Sequence, residues 1–361
     1  MPRPLAGAHH RPPVRRRCGR ADRACRMIET VLGPIRADDV RRVNIHQHLL
    51  SDASGLSRPG NEPAPPEERV SPGNRGFLNW NALALADNLR LDDPDLAVEE
   101  LARAGGPAGV DLVLECTSVG LGPSHAGLPA VARASGVQVA VAYGFYVTPV
   151  LPEWARALSE DDVREHLLAA LVDHIPGVGF RAASIGIMGT TGDVPGIERA
   201  RLRGAAAAAA VAGATVSVRL DDESRCGPEV VAELVRAGLA ADRVLLTNAD
   251  EYLDTGYWND LLDTGAVLEM CFGTESQHMG RMRNASDLQR LDFLTGFVES
   301  RPTARLVLGG STWTKTQLRR YGGYGYDHLT ARVLPELGRR GVPEDLLDAM
   351  VTSEPLRLLS R

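Results

Sequence analysis

The chain has 361 residues, of which 44% are hydrophobic and 24% charged, and its formal net charge is −6. This composition is typical of a globular protein with a substantial core, and the negative charge argues against general binding to nucleic acid. No apolar run approaches the roughly 20 residues needed to cross a bilayer, so the sequence predicts no membrane association.

The first 26 residues differ from the rest of the chain. They are rich in arginine and proline and have no apolar run of signal-peptide length, so we interpret residues 1–26 as a disordered tail or an over-long start. The predicted globular domain is then 27–361. The cysteines, which show no CxxC or other metal-type spacing, favour reduced thiols and a cytoplasmic protein. They are Cys18, Cys25, Cys116, Cys226 and Cys271.

Eight short apolar runs alternate with helical patterns along the chain. The predicted strands are Val43–Leu50, Val110–Cys116, Gln138–Tyr143, Ala183–Met188, Thr215–Leu220, Arg243–Thr247, Val267–Phe272 and Arg305–Gly309. The predicted helices between them are Asp95–Ala104, Leu128–Ala134, Glu160–Asp173, Ile197–Ala212, Pro228–Ala237 and Trp258–Thr264. Regular alternation of this kind predicts an α/β fold, a (β/α)8 TIM barrel, whose active site lies at the C-terminal ends of the strands.

Two long segments interrupt this alternation. Ser51–Asn81 is rich in proline and glycine, and Gly273–Leu288 is polar. Because long loops at a barrel mouth often cover the active site, we expect both segments to lie there.

The histidines His46 and His48 lie in the first predicted strand. Side chains alternate between the two faces of a strand, so both histidines point the same way and can bind one ion together. A two-metal site requires further ligands from later strands.

Several motifs occur in order between Glu29 and Ser360. They are Thr30–Ile35, the histidine pair, Tyr143–Tyr146 followed by Pro152 and Glu153, Gly189–Gly192, and Gly322–Asp327. Together they resemble the phosphotriesterase family of the amidohydrolase superfamily. The resemblance implies a TIM barrel, hydrolase activity at a two-metal centre, and a homodimer.

The resemblance also implies where the metal ligands belong. The first-strand pair is preserved at His46 and His48. The other four positions carry different residues. The bridging lysine or glutamate falls at Ile187, or at Gly186 with a shifted register, the two later histidines fall at Arg219 and Asn248, and the last acid falls at Ser311 or Thr312.

This loss does not depend on the alignment. No histidine occurs between His174 and His278, and Lys315 is the sole lysine. Arg219 places a fixed positive charge where an ion would lie. We therefore expect no cofactor, or at most one weakly bound divalent metal such as zinc on the two remaining histidines.

Arg219 is the most suggestive replacement. Its guanidinium offers a planar fork of donors to a carboxylate or phosphate and can substitute for the charge of a metal. The alternative is a structural ion network in which Arg219 pairs with Asp221, Asp250 or Glu115.

The histidines, without a metal, are natural proton-transfer groups. The alternative is an inherited pair hydrogen-bonded in the barrel interior. Asn248 can donate to an oxyanion, and Ser311 or Thr312 can do the same or serve as a nucleophile.

Glu115 and Asp250 complete the predicted catalytic set, since Glu115 ends a predicted strand and Asp250 is a nearby acid that can add a carboxylate. The residues predicted to contact the substrate are Arg219, Asp221, Tyr143, Tyr146, Ser311, Thr312 and Trp313. An aromatic residue in a barrel can equally well pack the core.

The leading hypothesis is therefore a barrel enzyme that acts on a small anionic molecule without a two-metal centre, with His46 and His48 for proton transfer and Arg219 with Asn248 for anion binding. The reaction is hydrolysis of an ester or lactone, or an elimination or isomerisation. One alternative is a hydrolase with a single ion held by the histidines and a carboxylate. Another is a catalytically inactive barrel that binds a ligand or partner.

Overall fold

The computed structural model describes residues 26–107, 109–280 and 282–361. The predicted N-terminal tail lies outside these residues except for Arg26, and so do Cys18 and Cys25. The described chain opens with a two-stranded hairpin, Met27–Ile28 with Ile35–Arg36.

Eight parallel strands form one sheet. They are β1 (Val43–Gln47), β2 (Leu112–Glu115), β3 (Gln138–Tyr143), β4 (Ser184–Gly189), β5 (Val216–Arg219), β6 (Val244–Thr247), β7 (Val267–Cys271) and β8 (Leu306–Gly309). The sheet order follows the chain from β1 to β8. The main-chain N–H groups of Gly310 and Ser311 donate to the carbonyl of His46 at 3.1 and 2.9 Å, which brings β8 back to β1. The predicted TIM barrel is confirmed.

Helices surround the sheet, and one of eight main helices follows each strand. They are α1 (Pro94–Ala104), α2 (Leu128–Ser135), α3 (Glu160–Val172), α4 (Gly196–Ala212), α5 (Gly227–Arg236), α6 (Thr255–Asp263), α7 (Asp287–Ser300) and α8 (Leu334–Arg339). Two further short helices, Glu344–Asp348 and Glu354–Leu359, follow α8.

Side-chain caps define where several helices begin. The Asp93 carboxylate accepts from two main-chain amides at the start of α1, and Pro94 occupies its first turn. Capping boxes start α3 at Ser159 and α7 at Ser286.

The core has two main layers that follow the strand alternation. On β2, Val113 packs in the large cluster that contains helix residues such as Leu101. Its neighbours Leu112 and Leu114 belong to a second cluster with Ile28 of the N-terminal hairpin. This two-residue period lets each strand bury both faces, as a closed barrel requires.

The two long loops contact each other above the strands. The first contains the helix Arg75–Trp80, and the second contains the hairpin Gln277–His278 with Met282–Arg283. The Met279 N–H donates to the Trp80 carbonyl at 3.3 Å, and Nδ2 of Asn61 donates to the Met279 carbonyl at 3.3 Å. These contacts hold the loops together around the barrel mouth. No described helix is both long and apolar enough to cross a membrane.

Candidate active site at the barrel mouth

A cavity of about 250 Å³ opens at the C-terminal ends of the strands. Both histidines and all four positions at which metal ligands are replaced line it. The predicted site residues that line the cavity are His46, His48, Tyr146, Arg219, Asp221, Asn248, Asp250, Ser311 and Trp313, and Ile187 lines it as well.

The two histidines belong to a buried hydrogen-bonded row. Nδ1 of His46 lies 3.0 Å from Oε2 of Glu269, and Nε2 of His46 faces Nε2 of His48 at 3.3 Å. Nδ1 of His48 lies 3.0 Å from Oγ1 of Thr117. Burial and the neighbouring His46 hold the pKa of His48 well below its usual value, so His48 is neutral at pH 7.

Glu269 determines which ring nitrogen of His46 carries the proton. A carboxylate accepts, so Nδ1 of His46 donates to Glu269 and its Nε2 keeps a lone pair. The Thr117 hydroxyl can accept from His48 or donate to it. When the hydroxyl donates, His48 carries its proton on Nε2 and donates it to His46. When the hydroxyl accepts, both Nε2 atoms keep lone pairs, and the pair can take up one proton from the cavity.

Arg219 is paired with an acid that the sequence did not indicate. Its Nη2 donates to Oε1 of Glu251 at 2.7 Å, and both side chains are largely buried. Burial raises the pKa of Glu251 to about 7, against the lowering effect of Arg219. No other hydrogen bond joins the Arg219 guanidinium to the described residues, so its remaining donors are available to a ligand in the cavity.

Asp250 lies in the cavity wall, but other groups occupy its carboxylate. Oδ1 accepts from the Cys271 N–H at 2.9 Å, and Oδ2 accepts from Arg290 at 2.9 Å. Arg290 also pairs with Asp287, which contacts His328. These contacts are those of a structural ion network.

Three predicted site residues do not line the cavity. Glu115 shares the strand face of Val113, and its oxygens accept from the main-chain N–H groups of Leu49 and Thr117. The hydroxyl of Tyr143 lies 2.8 Å from Nε2 of His166. Thr312 is buried, and its N–H donates to Oε1 of Gln47 at 3.0 Å.

Asn248 and Ser311 follow β6 and β8 in an unusual backbone conformation. Their φ angles are 54° and 45°, in the left-handed region that non-glycine residues seldom adopt. Asparagine enters this region more readily than serine, so Ser311 is the more strained of the two, and strained residues cluster at active sites and ligand clamps.

The described residues do not fit the two-metal centre that the family implies. The separation of the two Nε2 atoms, 3.3 Å, equals the roughly 3.3 Å between two nitrogens on one tetrahedral zinc. However, Ile187 cannot coordinate, and Arg219 adds a positive charge. Among the described residues, the one group of three close ligand atoms is His46, Glu269 and Cys271, around Nδ1 of His46.

Four residues of the site were not predicted from the sequence: Glu269, Thr117, Glu251 and Arg290. Glu269 gave a signal, because it is an acid inside the apolar run Val267–Phe272, where an unpaired charge is costly. Glu251 follows Asn248 by three residues and is the second acid of an adjacent pair. No pattern in the sequence indicated Thr117 or Arg290.

The comparisons with known proteins agree with the fold. The model of the phosphotriesterase family matches residues 26–359. The chain is 26% identical to an N-acetyltaurine hydrolase of Danio rerio over 343 residues, 92% of this chain and 97% of that protein. The Homo sapiens N-acetyltaurine hydrolase is 26% identical over 340 residues, with the same coverage.

Solved structures show the same barrel. A resiniferatoxin-binding protein from Rhodobacter sphaeroides has a TM-score of 0.88 and 27% identity, covering 92% of this chain and 94% of that one. A phosphotriesterase homology protein from Escherichia coli has a TM-score of 0.73 and 22% identity, covering 88% and 98%, and is evidence of the fold alone. The family match spans nearly the whole described chain, and the protein belongs to the phosphotriesterase family.

Proposed function

We propose that the chain is a hydrolase that cleaves an ester, lactone or amide of a small anionic molecule by acid–base catalysis, without the two-metal centre of its family. The observation that carries this proposal is the row Glu269–His46–His48–Thr117, whose two histidines line the cavity and have facing Nε2 atoms. Elimination and isomerisation begin with the same proton transfer, but the relatives favour hydrolysis.

The row can act as a base. Glu269 orients His46 and stabilises the imidazolium that forms when the ring takes a proton, as a carboxylate does behind a catalytic histidine. His48 is neutral and shares the proton through the contact at 3.3 Å. Both rings line the cavity, so the proton can come from a bound molecule.

The cavity wall favours a substrate with a negative group. The Arg219 guanidinium has donors left after pairing with Glu251, and the amide of Asn248 lies in the same wall. A volume of about 250 Å³ suits a small molecule. N-acetyltaurine, named for relatives at 26% identity, is an amide with a sulfonate, which has this chemistry.

The experiment is a hydrolysis assay on metal-stripped protein. Small esters, lactones and N-acyl amino sulfonates serve as substrates, and each is compared with its uncharged analogue. We expect hydrolysis of an anionic substrate and a fall in kcat of about 100-fold or more in His46→Asn. Equal rates in His46→Asn and wild type would refute the proposed base.

A second candidate is a binding protein without catalysis. The similarity to the resiniferatoxin-binding protein, with a TM-score of 0.88, favours it. It predicts that a ligand of the cavity binds without turnover. Calorimetry with the assay substrates distinguishes the two candidates, because a binding protein gives a saturable heat and returns the substrate unchanged.

A further inference from the structure

We infer that Ser311 is the nucleophile of this site and that hydrolysis passes through an ester on its side chain. This inference rests on the proposed hydrolase function and adds a covalent step to it. Ser311 stands at the last of the four replaced positions where the resemblance implies a metal ligand.

The main chain of Ser311 contacts the main chain of His46. The Ser311 N–H donates to the carbonyl of His46 at 2.9 Å, so the two residues are neighbours across the contact of β8 with β1. Both line the cavity. The Ser311 hydroxyl makes no hydrogen bond with any described residue, the two histidines included, so it is available to a substrate and turns toward the histidines when one binds.

The backbone around Ser311 is held by β1 through three consecutive amides. The Gly310 N–H donates to Oδ1 of Asn44 at 3.1 Å, and the Thr312 N–H donates to Oε1 of Gln47 at 3.0 Å. Together with the Ser311 contact to His46, they fix a segment in which Ser311 has a φ of 45°. Such a conformation costs about 1–3 kcal/mol and persists where surrounding contacts enforce it.

Other hydroxyl groups in the cavity wall are less suited. The Thr190 hydroxyl donates to the Arg219 carbonyl, and Thr191 contacts Glu198. Thr274 accepts from Arg290. Ser51 has an unpaired hydroxyl but ordinary backbone in a short strand, so it provides a matched control for labelling.

The reaction has two steps, formation of an ester on Ser311 and its hydrolysis. The Ser311 oxygen attacks the acyl carbon, and its proton passes to the facing Nε2 atoms of His46 and His48. The tetrahedral intermediate then collapses, the bond to the leaving alcohol or amine breaks, and the leaving group takes that proton. Water attacks the Ser311 ester and gives a proton to the histidines. The bond between the acyl carbon and the Ser311 oxygen breaks, the carboxylic acid product leaves, and the Ser311 oxygen takes the proton back from the histidines.

The first test is labelling of the full chain with an alkyl fluorophosphonate, followed by intact mass and peptide mapping. We expect one label per chain on Ser311 in wild type and in Ser51→Ala, and none in Ser311→Ala. An unlabelled wild type, or a label elsewhere, overturns the inference.

The second test is kinetic. We expect kcat to fall about 1000-fold or more in Ser311→Ala and in Ser311→Gly, and to change less than about threefold in Ser300→Ala, an exposed serine at the end of α7 outside the cavity. The glycine variant relieves the backbone strain, so its loss of activity is not a folding defect. If Ser311→Ala hydrolyses at the wild-type rate, this inference fails while the proposed function stands. If wild type hydrolyses nothing, the proposed function fails.

Discussion

Gly309 leaves open the space that the carboxylate of Glu269 occupies. A Cβ on Gly309 would lie 2.3 Å from Oε1 of Glu269 and 2.8 Å from Cβ of His46. Both distances are shorter than side chains allow. The glycine of β8 therefore permits the acid of β7 to reach the histidine of β1.

The close approach of Glu269 and His46 to Gly309 should make this glycine sensitive to substitution. Gly309→Ala should displace Glu269 and His46, lower the free energy of unfolding by about 1–3 kcal/mol through overpacking, and abolish activity. Denaturant unfolding and the hydrolysis assay measure the two effects. The control is Gly296→Ala on the exposed face of α7, where a Cβ meets nothing within 4 Å and should stabilise the helix by up to about 1 kcal/mol. An active, stable Gly309→Ala protein contradicts the role of the contact.

Glu269→Gln tests the charge behind His46 without changing the size of the side chain. We expect kcat to fall about 100-fold or more, because the imidazolium loses its ionic partner. KM should change by less than about threefold, because Glu269 does not line the cavity. Steady-state kinetics as a function of pH measures kcat and KM. If the kcat of Glu269→Gln equals that of wild type, Glu269 has no part in the reaction.

Arg290 should be among the most stabilising charges of the barrel. It is 1% exposed and holds both Asp250 and Asp287. Arg290→Met leaves these acids without their partner and should cost about 3–5 kcal/mol of unfolding free energy. In contrast, Arg103→Met, which breaks an exposed pair with Glu99, should cost less than about 1 kcal/mol. Similar losses of unfolding free energy in the two variants would contradict the structural role of the Arg290 pairs with Asp250 and Asp287.

His125 should make folding sensitive to acid. Burial lowers its pKa from 6.5 to about 4. Below pH 6.5 the unfolded chain gains a proton that the folded chain does not, so the free energy of unfolding falls as the pH falls, by up to about 3 kcal/mol at pH 4.

Unfolding titrations between pH 7 and pH 4 measure this slope. It should be shallower in His125→Asn and unchanged in His174→Asn, whose histidine is exposed. A slope that is the same in His125→Asn and wild type would contradict the assignment.

The sequence predicted the barrel well because its signals are local. Seven strands agree with the structure within two residues at each end, and the first ends at Gln47 rather than Leu50. The predicted helix at Trp258 begins earlier, at Thr255, because Asp254 caps it by accepting from the Tyr257 N–H. Aspartate three residues before an apolar pattern is a recognisable start signal.

The site was harder to predict because its contacts join distant elements. All four replaced ligand positions line the cavity, since the family motifs fix their places at the strand ends. The partner of Arg219 is Glu251, whereas Asp221, Asp250 and Glu115 were the predicted partners. Which acid reaches Arg219 depends on side-chain directions after β6, and no periodicity encodes those directions.

The measurement that tests the central claim most directly combines metal content and hydrolysis in one chelator-treated sample. We predict that hydrolysis continues with far less than one metal ion per chain, and that added zinc, manganese or cobalt does not increase the rate. Activity that is lost on chelation and returns with two bound ions per chain would contradict the account.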